Sequence, residues 1–86
     1  MVSKTIVFNC ENVMPTKAVA MLIQTASTFR SSVWISKGDR KANAKSLLGV
    51  MSLGIEHKMT VTVTADGSDE REALDSISDF LSNVKI

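Results

Sequence analysis

Eighty-six residues, 44% hydrophobic and 22% charged, are expected to form one domain over residues 1–86 with a small core, not a disordered chain. A net charge of +1 gives no strong electrostatic footprint, so direct nucleic-acid binding is not expected. The longest apolar run, Ala18 to Ile23, is far short of the roughly 20 residues that span a bilayer. The N-terminus lacks the apolar stretch of a signal peptide, and a lone cysteine, Cys10, permits no intrachain disulfide, so a cytoplasmic protein without membrane insertion is the simplest expectation.

Lys4 to Asn9 is β-branched and aromatic and predicts a strand, which Glu11-Asn12 breaks. From Lys17 to Phe29, Ala18, Met21, Leu22, Thr25, Ala26 and Phe29 recur at helical spacing, and Val19 and Ile23 widen the stripe. Pro15 suits the first helical position, with Thr16 or its neighbour as cap. Ser31 to Lys37 predicts a second strand, with Val33 and Ile35 on one face and Trp34 on the other. Gly38-Asp39 then turns the chain into a third strand, Arg40 to Asn43.

Ala44 to Leu53 predicts a short helix with Ser46 at its N-terminal edge and Gly54 as its cap. Part of its apolar surface (Leu47, Leu48, Met51) should stay exposed, because a two-turn helix on a sheet cannot bury its whole circumference. Met59 to Ala65 alternates cleanly and predicts a strand. Ser68 is expected to cap the last helix, whose first-turn acids suit the dipole and whose buried stripe is Ala73, Leu74, Ile77, Phe80, Leu81 and Val84. The order βαββαβα predicts an α+β fold: an open-faced sandwich in which helices cover an antiparallel sheet. An exposed edge strand in so small a domain can pair or swap, so a monomer or a weak homodimer is expected.

The segment Asn43 to Ile55, N-A-K-S-L-L-G-V-M-S-L-G-I, resembles the regulatory segment of HPr, the small phosphocarrier of the bacterial phosphoenolpyruvate-dependent sugar phosphotransferase system. Gln24-Thr25-Ala26-Ser27 at the end of the first helix, Ala65-Asp66-Gly67 with Ser68-Asp69-Glu70 and Glu72-Ala73-Leu74 before the last helix, the element order and the chain length extend the resemblance to essentially the whole chain. The family's fold is a four-stranded antiparallel sheet covered on one face by three helices.

The resemblance implies two phosphorylation sites, which fare differently here. The regulatory serine, modified by HPr kinase/phosphorylase, matches Ser46. A phosphate there would bring about −1.5 to −2 charge to the positive end of a helix dipole. The carrier histidine, in a G-[LIV]-H-A-R-P-A motif, does not match: Pro15 stands in its place, with Thr16, Lys17, Ala18 and Val19 after it and Val13 where the glycine belongs. Proline has no nucleophile, and neither Thr16 nor Lys17 replaces an imidazole that gives phosphate up reversibly.

A non-catalytic regulatory protein follows from the resemblance, like the branch of the family that lacks the histidine and keeps the serine. It would act as a corepressor in carbon catabolite repression, docking on a LacI-type catabolite regulator through phospho-Ser46, Leu47, Leu48 and Met51, with Lys17 and Ala20 as further contacts. The altered motif around Pro15 counts against a contact with enzyme I, and no cofactor or metal is implied. The alternatives are a phosphocarrier whose chemistry has moved, or a binding module with neither phosphorylation. His57 is expected to be an exposed loop histidine, and Cys10 a half-buried structural cysteine with no evident neighbouring base.

Overall fold

A computed structural model describes residues 1–11 and 13–84; the Asn12 half of the expected break therefore lies outside the described residues. The elements are β1 (Val2–Val7), α1 (Pro15–Ser27), β2 (Ser32–Lys37), β3 (Arg40–Asn43), α2 (Leu47–Ser52), β4 (Thr60–Asp66) and α3 (Glu70–Ser82). The four strands form one antiparallel sheet in the order β1-β4-β2-β3. Its register sets Ile6 against Val61 and Ile35 against Val63. The alternation of β2 and β4 puts Val33, Ile35, Val61, Val63 and Ala65 under the helices, while Trp34, Thr62 and Thr64 stay on the open face. On that face Lys41 Nζ lies 4.6 Å from the Trp34 ring centroid. Both edge strands carry charge: Arg40 and Lys41 on β3, and Lys4 on β1, opposite Val63 on the covered side. Charges so placed discourage pairing with another sheet.

Helix α3 lies over β1, β4 and the near part of β2, α1 packs on α3 and α2, and α2 sits against β3. Ala18, Val19, Leu22 and Ala26 of α1 meet Ala73, Leu74, Ile77 and Leu81 of α3 in the core, with Phe8 and Val50. Met21, Ile23, Thr25 and Phe29 are only half-buried, as is Phe80.

Boundaries differ from expectation where polar groups compete with the ladders. Helix α1 stops at Ser27 because Thr25, Ser27 and Thr28 turn their hydroxyls back to Met21 O, Ile23 O and Thr25 O. Strand β1 ends at Val7: Phe8 exchanges bonds with Lys58 and Met59, and Asn9 with Leu81 and Val84, which ties the chain to a turn and to the end of α3. Helix α2 begins at Leu47, not Ala44, because Ala44 N–H is drawn to Val33 O and Lys45 N–H to the Asn43 side chain.

Ser68 is not the cap of α3. Asp69 holds that position, and its carboxylate accepts from the backbone N–H groups of Arg30 and Ser31 and from the Ser31 hydroxyl. The Ser31 hydroxyl, then the Arg30 amide, lower the Asp69 pKa from an ordinary 3.8 to about 2. Ser31, the expected first residue of β2, is thus a buried anchor between α1 and α3.

Candidate functional site

The start of α1 is built by Met14 and Pro15. Met14 is the N-cap, in extended conformation, and makes no side-chain cap; Pro15 occupies the first helical position. The expected cap by Thr16 is therefore absent, and the Met14 carbonyl instead receives both Lys17 N–H and Ala18 N–H at 3.0 Å. This leaves little of the anion-binding capacity that helix starts usually have. Pro15 has no N–H, and the Lys17 N–H is already used. Pro15, Thr16, Lys17 and Ala20 are all exposed, with Lys17 and Ala20 one turn apart.

The start of α2 is different. Ser46 is the N-cap, with φ −111° and ψ 110°, and its Oγ accepts from Gly49 N–H at 3.2 Å. Its own N–H reaches Asn43 O at 3.0 Å, and its carbonyl receives Val50 N–H at 3.0 Å. Ser46 is exposed, at a helix start whose first amides have no intrahelical carbonyl to bond. Gly49 keeps the space clear: a Cβ there would lie 3.2 Å from Ser46 Oγ. Val50 is completely buried and fastens the helix, so the neighbouring apolar side chains must point outward. Leu48 is 81% exposed, Leu47 49% and Met51 48%, and Met14, at 72%, adds to the apolar surface beside Pro15.

A cavity of about 80 Å³ lies between the start of α1 and the second half and end of α2, lined by Pro15, Thr16, Val19, Val50, Met51, Gly54 and Ile55. Among the residues singled out from the sequence, it joins Pro15 to Met51.

Sequence reasoning missed the lysines that hold this region. Lys37 Nζ donates to Leu53 O at 3.0 Å, just past the end of α2, and Lys45 Nζ donates to Phe29 O at 2.8 Å, just past the end of α1. Both partners lie sixteen residues away in the chain, beyond any local signal.

Two expectations need correction. His57 is half-buried, not exposed, and its Nδ1 accepts Cys10 N–H at 3.0 Å. An imidazole therefore does neighbour Cys10. Cys10 is fully buried rather than half-buried, and burial pushes its thiol pKa up, which is the setting of an inert structural thiol. Among the described residues, no three of His, Cys, Asp and Glu gather where a metal ion could be held, and no helix is long and apolar enough to cross a membrane.

The model of the PTS HPr component phosphorylation site matches residues 2–83. The chain belongs to the HPr family. The HPr-like protein Crh of Halalkalibacterium halodurans is 35% identical over 81 residues, covering 94% of this chain and 96% of that protein. The HPr-C-His structure from Thermoanaerobacter tengcongensis superposes with a TM-score of 0.88 at 37% identity, covering 94% of this chain and 91% of that one. Crh of Bacillus subtilis, a catabolite-repression protein whose structure is an intertwined dimer with a swapped domain, gives a TM-score of 0.75 at 30% identity, covering 93% of this chain and 90% of that one. HPr-family proteins are carriers or regulators related to the phosphotransferase system rather than enzymes, and both open-faced sandwich and element order agree with that family.

Proposed function

We propose that this chain is a regulatory HPr-family protein without phosphocarrier activity. In this reading HPr kinase/phosphorylase phosphorylates Ser46, and the product acts in the cytoplasm as a corepressor in carbon catabolite repression. One contrast carries the reading: Ser46 presents an exposed hydroxyl at a helix start flanked by Leu47, Leu48 and Met51, whereas the start of α1 offers Pro15 and no nucleophile.

A phosphate on Ser46 meets the unpaired amides of Leu47 and Leu48 and the positive end of the α2 dipole, so it supports the helix instead of breaking it. It also places a dianion beside an exposed apolar face. A LacI-type regulator with an arginine cluster next to an apolar groove would recognise both parts, with Lys17 and Ala20 at the neighbouring edge. The swapped dimer of Bacillus subtilis Crh supports a weak homodimer as the second state of a monomer.

Incubation with HPr kinase and ATP, followed by mass spectrometry, tests the proposal. One added phosphate on the wild-type chain and none on Ser46→Ala is expected. No phosphate from a kinase active on another HPr would refute it. Acid-labile phosphate from phosphoenolpyruvate and enzyme I would restore the carrier reading.

A further inference from the structure

We propose that Lys37 is the positioning residue that holds the Ser46 helix in the shape a partner reads, an inference that rests on the function proposed for Ser46. Lys37 closes β2 and is half-buried. Its Nζ donates to Leu53 O at 3.0 Å and to Gly54 O at 3.4 Å. Leu53 is the C-cap of α2, and Gly54 follows in the left-handed region at φ +67°. A Cβ on Gly54 would lie 3.8 Å from Lys37 Nζ, so the ammonium rests directly over the turn that ends the helix.

Helix α2 has six residues and no basic residue in its last turn. Helices this short do not hold themselves in water, so their ends and their packing decide whether they persist. Asn43 O takes the Ser46 N–H at the start, and Lys37 supplies the missing cation at the finish. Asn43 and Lys37 lie on the two strands of one hairpin, joined by the Gly38-Asp39 turn. The hairpin therefore grips α2 at both ends. Leu47, Leu48 and Met51 stay on one exposed face, and Ser46 stays in its capping conformation. A cation at the end of α2 and a phosphate at its start complement the same dipole, so Lys37 acts in the same direction as the modification.

The test uses Lys37→Met, which keeps the aliphatic stem, and Lys37→Arg, which keeps the donor, both in the full chain. Hydrogen exchange by NMR on unphosphorylated protein follows the amides of Val50, Leu53 and Gly54, each bonded to a carbonyl of the α2 segment. Removing a cation from a helix end should speed their exchange roughly two- to fivefold in Lys37→Met, with recovery in Lys37→Arg. With HPr kinase, the ordering of the last turn then falls on the binding step. KM for the Lys37→Met chain should rise by up to that factor at unchanged kcat, and Arg should restore it. Unchanged exchange overturns the proposal, and so does faster exchange with an unchanged KM, which would leave Lys37 a structural cap alone. Failure of the wild-type chain to accept phosphate would refute the Ser46 reading instead, while the exchange data still decide whether Lys37 holds α2.

Discussion

Ser46→Ala deletes the side chain that accepts a hydrogen bond from the first turn of α2. Loss of a serine N-cap costs about 0.5–2 kcal/mol in general. The bond to Gly49 N–H is 3.2 Å, long for its kind, and the residue is exposed, so water can take over the freed donor. Both points favour the lower half of the range, about 0.5–1 kcal/mol. For a chain of this size that corresponds to a fall of roughly 2–8 °C in Tm, or roughly 0.2–1 M in the urea midpoint. Ser46→Asp keeps an acceptor at the cap and adds about 0.3–1 kcal/mol from the dipole. The stability order should be Asp at or above Ser, and Ser above Ala, with the aspartate advantage shrinking in high salt. Trp34, the only tryptophan, reports urea unfolding from β2. An alanine variant as stable as wild type would show that residue 46 does not cap α2. An aspartate variant below alanine would mean that negative charge breaks this helix, and the structural basis for a tolerated phosphoserine would be lost.

Gly67→Ala should be far costlier. At φ +155° its new Cβ would lie 2.6 Å from Ser31 Oγ and 2.7 Å from Ser31 Cα, and Ser31 cannot retreat because Asp69 holds both its N–H and its hydroxyl. Overpacking of this kind costs about 1–3 kcal/mol, and a urea midpoint equal to wild type would show that the contact relaxes freely. Asp69 gives a pH dependence of defined sign. Its pKa is lower in the folded chain, about 2 against an ordinary 3.8, so its contribution is present above about pH 4 and is lost as pH falls toward 2. The stability gap between wild type and Asp69→Asn should be full at pH 6 and mostly closed at pH 2; a gap independent of pH would contradict the bonding described.

Element type and order were legible because periodicity reports burial: Val61 and Val63 alternate with threonines in β4, and Leu74, Ile77 and Leu81 repeat along α3. Residue 46 was legible as a cap because the cap bond is local, three residues long. Features that depend on chain segments far apart were not. Asp69 holds the cap position of α3, yet its oxygens are taken by Ser31 and Arg30, almost forty residues earlier, a pairing that no local pattern announces. His57 is the loop residue it looked to be, but its partial burial was hidden because its partner is the Cys10 amide, 47 residues away. The lysines that close α1 and α2 were hidden for the same reason.

The fold tolerates Pro15 because two separate demands meet at the start of α1. Folding asks for a residue that accepts helical φ and can do without an N–H, and proline satisfies both. Phosphoryl carriage asks for a nucleophilic imidazole and free amides to face the anion, and proline supplies neither. Met14 makes the separation sharper, since its carbonyl occupies the Lys17 and Ala18 amides and its side chain turns an apolar surface to solvent. At the start of α2 the same two demands coincide in one residue: the Ser46 oxygen that caps the helix is also the oxygen that a kinase would modify. In the proposed function, a substitution there cannot alter regulation without also altering stability. At residue 15 the two are uncoupled in that reading, so Pro15→His should fold, yet by itself would not rebuild an anion site, because the Met14 carbonyl still occupies the Lys17 and Ala18 amides.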